Sequence, residues 1–170
     1  MDIYEAIEKR YSCRAYAKKP VEQDKLERII NSGISAPTAR NLKDWRFIIV
    51  TDPNIKNQLA LTAHNKGFVY QAPVVVVGCS NSDHVMTCGQ RVGPIDLSIA
   101  MEHMAIAATS EGLATCWIGG FFSDKVRQVL GIPDWIEIVE LMTIGYAADE
   151  KIVKEIEPVE NFVCYEKWRF

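Results

Sequence analysis

The sequence predicts a single domain of mixed helix and sheet, α+β or α/β, organised around one central sheet. Helical apolar spacing comes first, and short aromatic and β-branched runs then alternate with helical stretches. No repeat, low-complexity tract or Pro/Ser-rich linker divides the 170 residues, so the expected unit is one domain over residues 1–170. Hydrophobic residues make up 48% and charged residues 24%, enough apolar material for a packed core.

Ile3, Ala6, Ile7 and Tyr11 share one helical face and predict a short amphipathic helix at the N-terminus. A second helix follows Pro20, with Leu26, Ile29 and Ile30 inward and acidic Glu22 and Asp24 in its first turn. It must end by Ala36, because the residue before Pro37 avoids the helical region. Residues 45–51 are aromatic and β-branched and read as a buried strand. Asp52 and Pro53 then supply an N-cap and a first-turn proline for a helix through about Ala63. Residues 74–77, all valine, form a second strand.

Residues 94–111 are apolar on nearly every side, which predicts a helix enclosed within the domain or within an oligomer interface, with Gly112 capping its end. Residues 113–118 make a third strand running into Gly119 and Gly120, Ser123 caps a short helix closed by Gly131, and residues 136–144 make a fourth strand. Beyond Tyr146 the chain turns polar, and then Phe162, Val163, Tyr165 and Trp168 return at the end. An apolar tail after a solvated arm wants a second surface, which a dimer with swapped tails would supply.

Nineteen Lys and Arg stand against 22 Asp and Glu, a net charge of -3, which argues against a general nucleic-acid binder. The start is charged and lacks a signal-peptide core, and no apolar run is long enough to span a bilayer. Five cysteines without a C-x-x-C pair are expected to be reduced thiols in a cytoplasmic protein. Cys79, His84 and Cys88 are the nearest approach to a metal cluster, but no second ligand pair follows, and no metal is expected.

Three segments could carry chemistry. Arg10-Tyr11-Ser12-Cys13-Arg14 offers two guanidinium groups and a hydroxyl, a set suited to a phosphate; the competing reading is a positive helix end. Pro37, Thr38, Ala39 and Asn41 lie in a turn of small and polar residues that could hydrogen-bond a planar ligand or merely connect helix to strand. Ile118, Gly119 and Gly120 end a strand with two glycines, allowing close approach to the backbone or simply a tight turn. No G-x-G-x-x-G or P-loop is present, and no histidine sits in a recognisable nucleophile motif. The catalytic-residue expectation is therefore none, as when a cofactor carries the reaction.

In this order, the segments resemble the nitroreductase family of flavin enzymes. Arg10 to Arg14 is similar to its R-x-S-x-R start, and residues 36–45 to its A-P-S-x-x-N-x-Q-P-W turn. Residues 112–119 are similar to its G-L-G-T-x-W-I-G strand, and Leu130 to Pro133, Ile144 to Tyr146 and Tyr165 to Trp168 to its later landmarks.

The resemblance implies an α+β fold with a central, mostly antiparallel sheet surrounded by helices, and a homodimer whose C-terminal arms are swapped. It implies FMN as cofactor and NADH or NADPH as electron donor, with electrons passing to a small acceptor such as a nitroaromatic or quinone. Arg10, Tyr11, Ser12 and Arg14 would hold the phosphate and ribityl chain. Pro37, Thr38, Ala39 and Asn41 of the partner subunit would cover the flavin, and Ile118, Gly119 and Gly120 would lie along its ring. Two positions depart from the family: Lys43 and Asp44 replace Gln-Pro, and Ile156 stands where many members place a phosphate-binding Arg or Lys. Lys151 and Lys154 are the nearest basic substitutes. The alternative function is a flavin-binding sensor or carrier without turnover, and a more distant one a thiol or metal protein.

Overall fold

A computed structural model of the chain describes residues 1–150 and 157–170. Helix α1 (Ile3–Lys9) is closed by a capping box, in which the Asp2 carboxylate accepts from the Glu5 N–H and Glu5 reaches back to the Asp2 N–H. It stops before Tyr11, which the spacing had placed on its face. Helix α2 (Gln23–Ile34) ends as the following proline requires. A 3-10 turn (Ala39–Asn41) leads into β1 (Trp45–Val50). Asp52 caps α3 (Pro53–Thr62) through the N–H groups of Asn54 and Ile55, as expected.

The short α4 (Gly67–Gln71), absent from the sequence reading, precedes β2 (Val74–Ser80), which runs three residues past the valine run. Helix α5 (Val92–Ser110) begins two residues before Pro94 and is capped by Glu111, with Gly112 next at φ +78°. β3 (Ala114–Ile118) follows. In α6 (Ser123–Leu130) Ser123 is the first helical residue, not the cap; Phe122 occupies that position without a side-chain bond. Gly131 takes the left-handed conformation that ends α6. β4 (Glu137–Gly145) completes the sheet.

The sheet has the order β1-β2-β4-β3, antiparallel throughout. Strand alternation sorts its residues onto two cores. Val74, Val76, Met142 and Ile144 face α2 and α5, while Val75, Val77 and Leu141 pack with residues of α3, α4 and α6. With both faces covered, β2 is buried along its whole length, which is why it reads as an uninterrupted apolar run. A Cβ on Gly78 would lie 2.7 Å from Leu97 and Met101, so glycine there lets α5 settle directly on the sheet.

The expectation of an enclosed α5 holds for its inner side: Leu97, Ala100, Met101, Met104, Ala105 and Ala108 are buried. Its outer side keeps Ile95 exposed and Ile99 and Ile106 partly so. Among the described residues, no helix is long and apolar enough to cross a membrane.

Candidate functional site

After α1 the chain leaves Arg10 in extended conformation and runs beside β3. Ser12 bridges Thr115 in parallel register, and the Cys13 N–H donates to the Thr115 carbonyl at 2.9 Å. Further on, the Ala17 N–H donates to the Tyr146 carbonyl and the Ala148 N–H to the Ala15 carbonyl. Residues 11–17 are thus held between β3 and the chain that follows β4. The Asp149 carboxylate accepts from the Tyr11 hydroxyl at 2.8 Å, the Cys13 thiol at 3.1 Å and the Arg14 N–H at 3.1 Å. Burial and this carboxylate push the Cys13 thiol up to about 11 and raise the Tyr11 hydroxyl as well.

The guanidinium groups of the same segment are largely uncommitted. Arg10 faces Glu102 of α5 at 3.8 Å, with both residues half-buried. Among the described residues, no hydrogen bond or ion pair engages the exposed Arg14 side chain.

β3 pairs with β4 only as far as Ile118, opposite Leu141. Ile118 is buried in the core beneath, and the Gly119-Gly120 backbone continues past the ladder. A Cβ on Gly120 would lie 2.9 Å from Lys66 Nζ, which donates to the Gly120 carbonyl at 3.0 Å. A Cβ on Gly119 would stand 3.4 Å from Glu140 Oε1. Glu140 is half-buried, and that burial raises its carboxyl. Burial also raises the Cys116 thiol on β3, while the charges of Arg14, Lys66 and Arg10 pull it the other way. Of these cations Lys66 alone reaches the glycine backbone, while Arg10 and Arg14 belong to the segment that runs beside Thr115.

Lys66, Glu140 and Asp149 escaped the sequence reading. Lys66 follows His64 and Asn65, both at positive φ, in an irregular turn with no periodic signal. Glu140 is hidden within a strand, and Asp149 within a polar stretch.

The turn at residues 37–41 is built differently. Arg40, Asn41 and Lys43 all have φ between 54° and 56°, a conformation that disfavours side chains and needs outside support. Support comes from buried Asp96 of α5, which accepts from the Ala39 N–H at 2.9 Å, and from Thr38 Oγ1, which accepts from the Lys43 N–H at 3.2 Å. Pro37 and Asn41 are exposed, Thr38 and Ala39 half-buried.

The structure sets Arg10, Tyr11, Ser12 and Arg14 in a segment alongside β3, bridged to it at Thr115, and Ile118, Gly119 and Gly120 at that strand's end. It does not bring the turn to them. The turn enters β1, on the opposite edge of the sheet but at the same end, since Trp45 and Glu137 both pair with Ser80. Three strand spacings, about 14 Å, separate the two edges. Lys151, Lys154 and Ile156 lie outside the described residues. Among the described residues, no three His, Cys, Asp or Glu side chains are grouped to hold a metal.

Comparisons with known proteins bear on the family and the fold. The nitroreductase family model matches residues 7–67 and 60–146, which include residues 10–14, 37–41 and 118–120 but not Asp149. A solved nitroreductase family protein from Clostridium difficile strain 630 is 32% identical, with 99% of this chain and 100% of that one covered and a TM-score of 0.86. A structure described as an FMN-dependent nitroreductase from Clostridium difficile R20291 is 25% identical over 96% of this chain and 98% of that one, with a TM-score of 0.83. A protein named NADH dehydrogenase from Thermus thermophilus is 28% identical, covering 97% of this chain and 96% of its own length. A four-stranded antiparallel sheet edged by the Arg10–Arg14 segment, and a family match spanning that segment and the Gly119-Gly120 strand end, lead to one assignment: this chain belongs to the nitroreductase family.

Proposed function

We propose that this chain is an FMN-dependent oxidoreductase that takes hydride from NADH or NADPH and delivers electrons to a small acceptor of the nitroaromatic or quinone type. The observation that carries the reading is the Arg10–Arg14 segment held along β3, with the Arg14 side chain uncommitted among the described residues, on the strand that ends in Gly119-Gly120 with Lys66 on the Gly120 carbonyl. Guanidinium forks match a phosphate, and backbone without side chains suits a flat ring, so the donor set fits a flavin mononucleotide. When bound, FMN supplies the redox chemistry that no side chain of the site provides.

The chain's own share is binding and orientation. Arg10 and Arg14 hold the phosphate, with Tyr11 and Ser12 beside it. Ile118 fixes the strand end from beneath, and Gly119 and Gly120 keep the approach open. Asp96 holds Pro37, Thr38, Ala39 and Asn41 in a turn that covers the ring of a partner subunit's cofactor. The distance between the two sheet edges supports that division between subunits, as do the exposed Ile3, Ile7, Ile34 and Ile95, which leave an apolar face for a second copy. The homodimer acts as one domain per chain and works in the cytoplasm, in keeping with five unpaired cysteines.

Titrating the apo-protein with FMN tests the reading. Flavin fluorescence should be quenched to a saturating endpoint. An unchanged signal at high protein concentration contradicts it.

A further inference from the structure

Asp149 lies past the last strand and belongs to none of the family-like segments. Yet its carboxylate takes donors from three residues of the Arg10–Arg14 segment, more than 130 positions earlier: the Tyr11 hydroxyl, the Cys13 thiol and the Arg14 N–H. Its own place is fixed by the neighbouring bond from the Ala148 N–H to the Ala15 carbonyl. Burial alone would raise this carboxyl, but the Arg14 N–H, the Cys13 thiol and the Tyr11 hydroxyl together hold it below the usual carboxylate range.

The choice of partners matters. A carboxylate paired with the Arg14 guanidinium would compete with any incoming anion. Here the carboxylate is satisfied by neutral donors, one of them the backbone N–H of Arg14 itself. It fixes where the Arg14 side chain starts and leaves the cationic end without a partner among the described residues.

We infer that Asp149 is a positioning residue: it pre-organises the Arg10–Arg14 segment so that its guanidinium groups meet a phosphate without first being ordered. The inference rests on the FMN reading above. It also makes a prediction opposite in sign to simple electrostatics. Removing a negative charge near a phosphate site should tighten FMN by Coulomb's law, whereas losing pre-organisation should weaken it.

The test compares Asp149→Ala and Asp149→Asn with the wild type, measuring affinity for FMN and for riboflavin, which lacks the phosphate. The expected result for Asp149→Ala is FMN weakened about five- to tenfold with riboflavin little changed. Asp149→Asn, which keeps an acceptor for Tyr11 and Cys13 but sets an amide against the Arg14 N–H, should fall between the two. Riboflavin binding reports that the site is folded; should the alanine variant fail to fold, the asparagine variant decides by the same split. Equal loss of both ligands would overturn the inference in favour of a general structural role. Unchanged or tighter FMN would overturn it too. A wild type that binds neither ligand would overturn the FMN reading and this inference with it, so the two failures are distinguishable.

Discussion

Replacing Arg14 by alanine will weaken FMN tenfold or more and leave riboflavin almost untouched. Each charge-assisted hydrogen bond to a phosphate oxygen contributes about 1.5–3 kcal/mol, and about 1.4 kcal/mol is a factor of ten in affinity. The fold should not suffer, because among the described residues no group depends on the exposed Arg14 side chain. The same change at Arg10 should cost less, since Arg10 gives up Glu102, 3.8 Å away, to meet the phosphate. Paired titrations of FMN and riboflavin check this. Equal losses for both ligands would mean that the two arginines only complement the end of α1.

Deleting the residues after Glu160 will leave a chain that aggregates or melts early and no longer forms a stable dimer. Among residues 157–170 only Cys164 is even half-buried. Phe162, Tyr165, Trp168 and Phe170 are between 56% and 81% exposed, so their own protomer offers them little cover. Burying one large apolar side chain contributes about 1.5–3 kcal/mol, so several of them packed on a second subunit would outweigh much of a small domain's net stability. Sedimentation and thermal melts of the truncated protein measure the effect. A truncated chain that stays folded, soluble and dimeric would contradict the swapped-tail proposal, and a monomeric wild type would contradict the dimer.

Much of the fold was legible because its signals are local. The Asp52-Pro53 cap, the aromatic and β-branched run of β1, the valines of β2 and Gly131 after α6 all depend on near neighbours in sequence. The sheet order was not local: β2 lies between β1 and β4 through pairings about 30 residues apart on one side and more than 50 on the other, and the antiparallel expectation came from family resemblance. Helix α4 has five residues and no side-chain cap, so neither periodicity nor a start signal marks it. The left-handed Arg40, Asn41 and Lys43 carry no glycine to announce them; Asp96, more than 50 positions away, helps to hold that turn.

The site divides in the same way. Arg10, Arg14, Gly119 and Gly120 are residue types whose chemistry is plain wherever they stand. Lys66 and Asp149 gain meaning only through tertiary contact, with Gly120 in one case and with Tyr11, Cys13 and Arg14 in the other. A lysine in a turn and an aspartate in a polar arm look like ordinary solvated charges until the fold closes.

The central claim is that hydride enters this protein through bound FMN. Its most direct test is the visible spectrum of the FMN-loaded protein, kept free of oxygen, before and after addition of NADH and, separately, NADPH. The account predicts that at least one of them bleaches the flavin absorbance and that a quinone or nitroaromatic added afterwards restores it. A loaded protein whose spectrum neither nucleotide changes would contradict it.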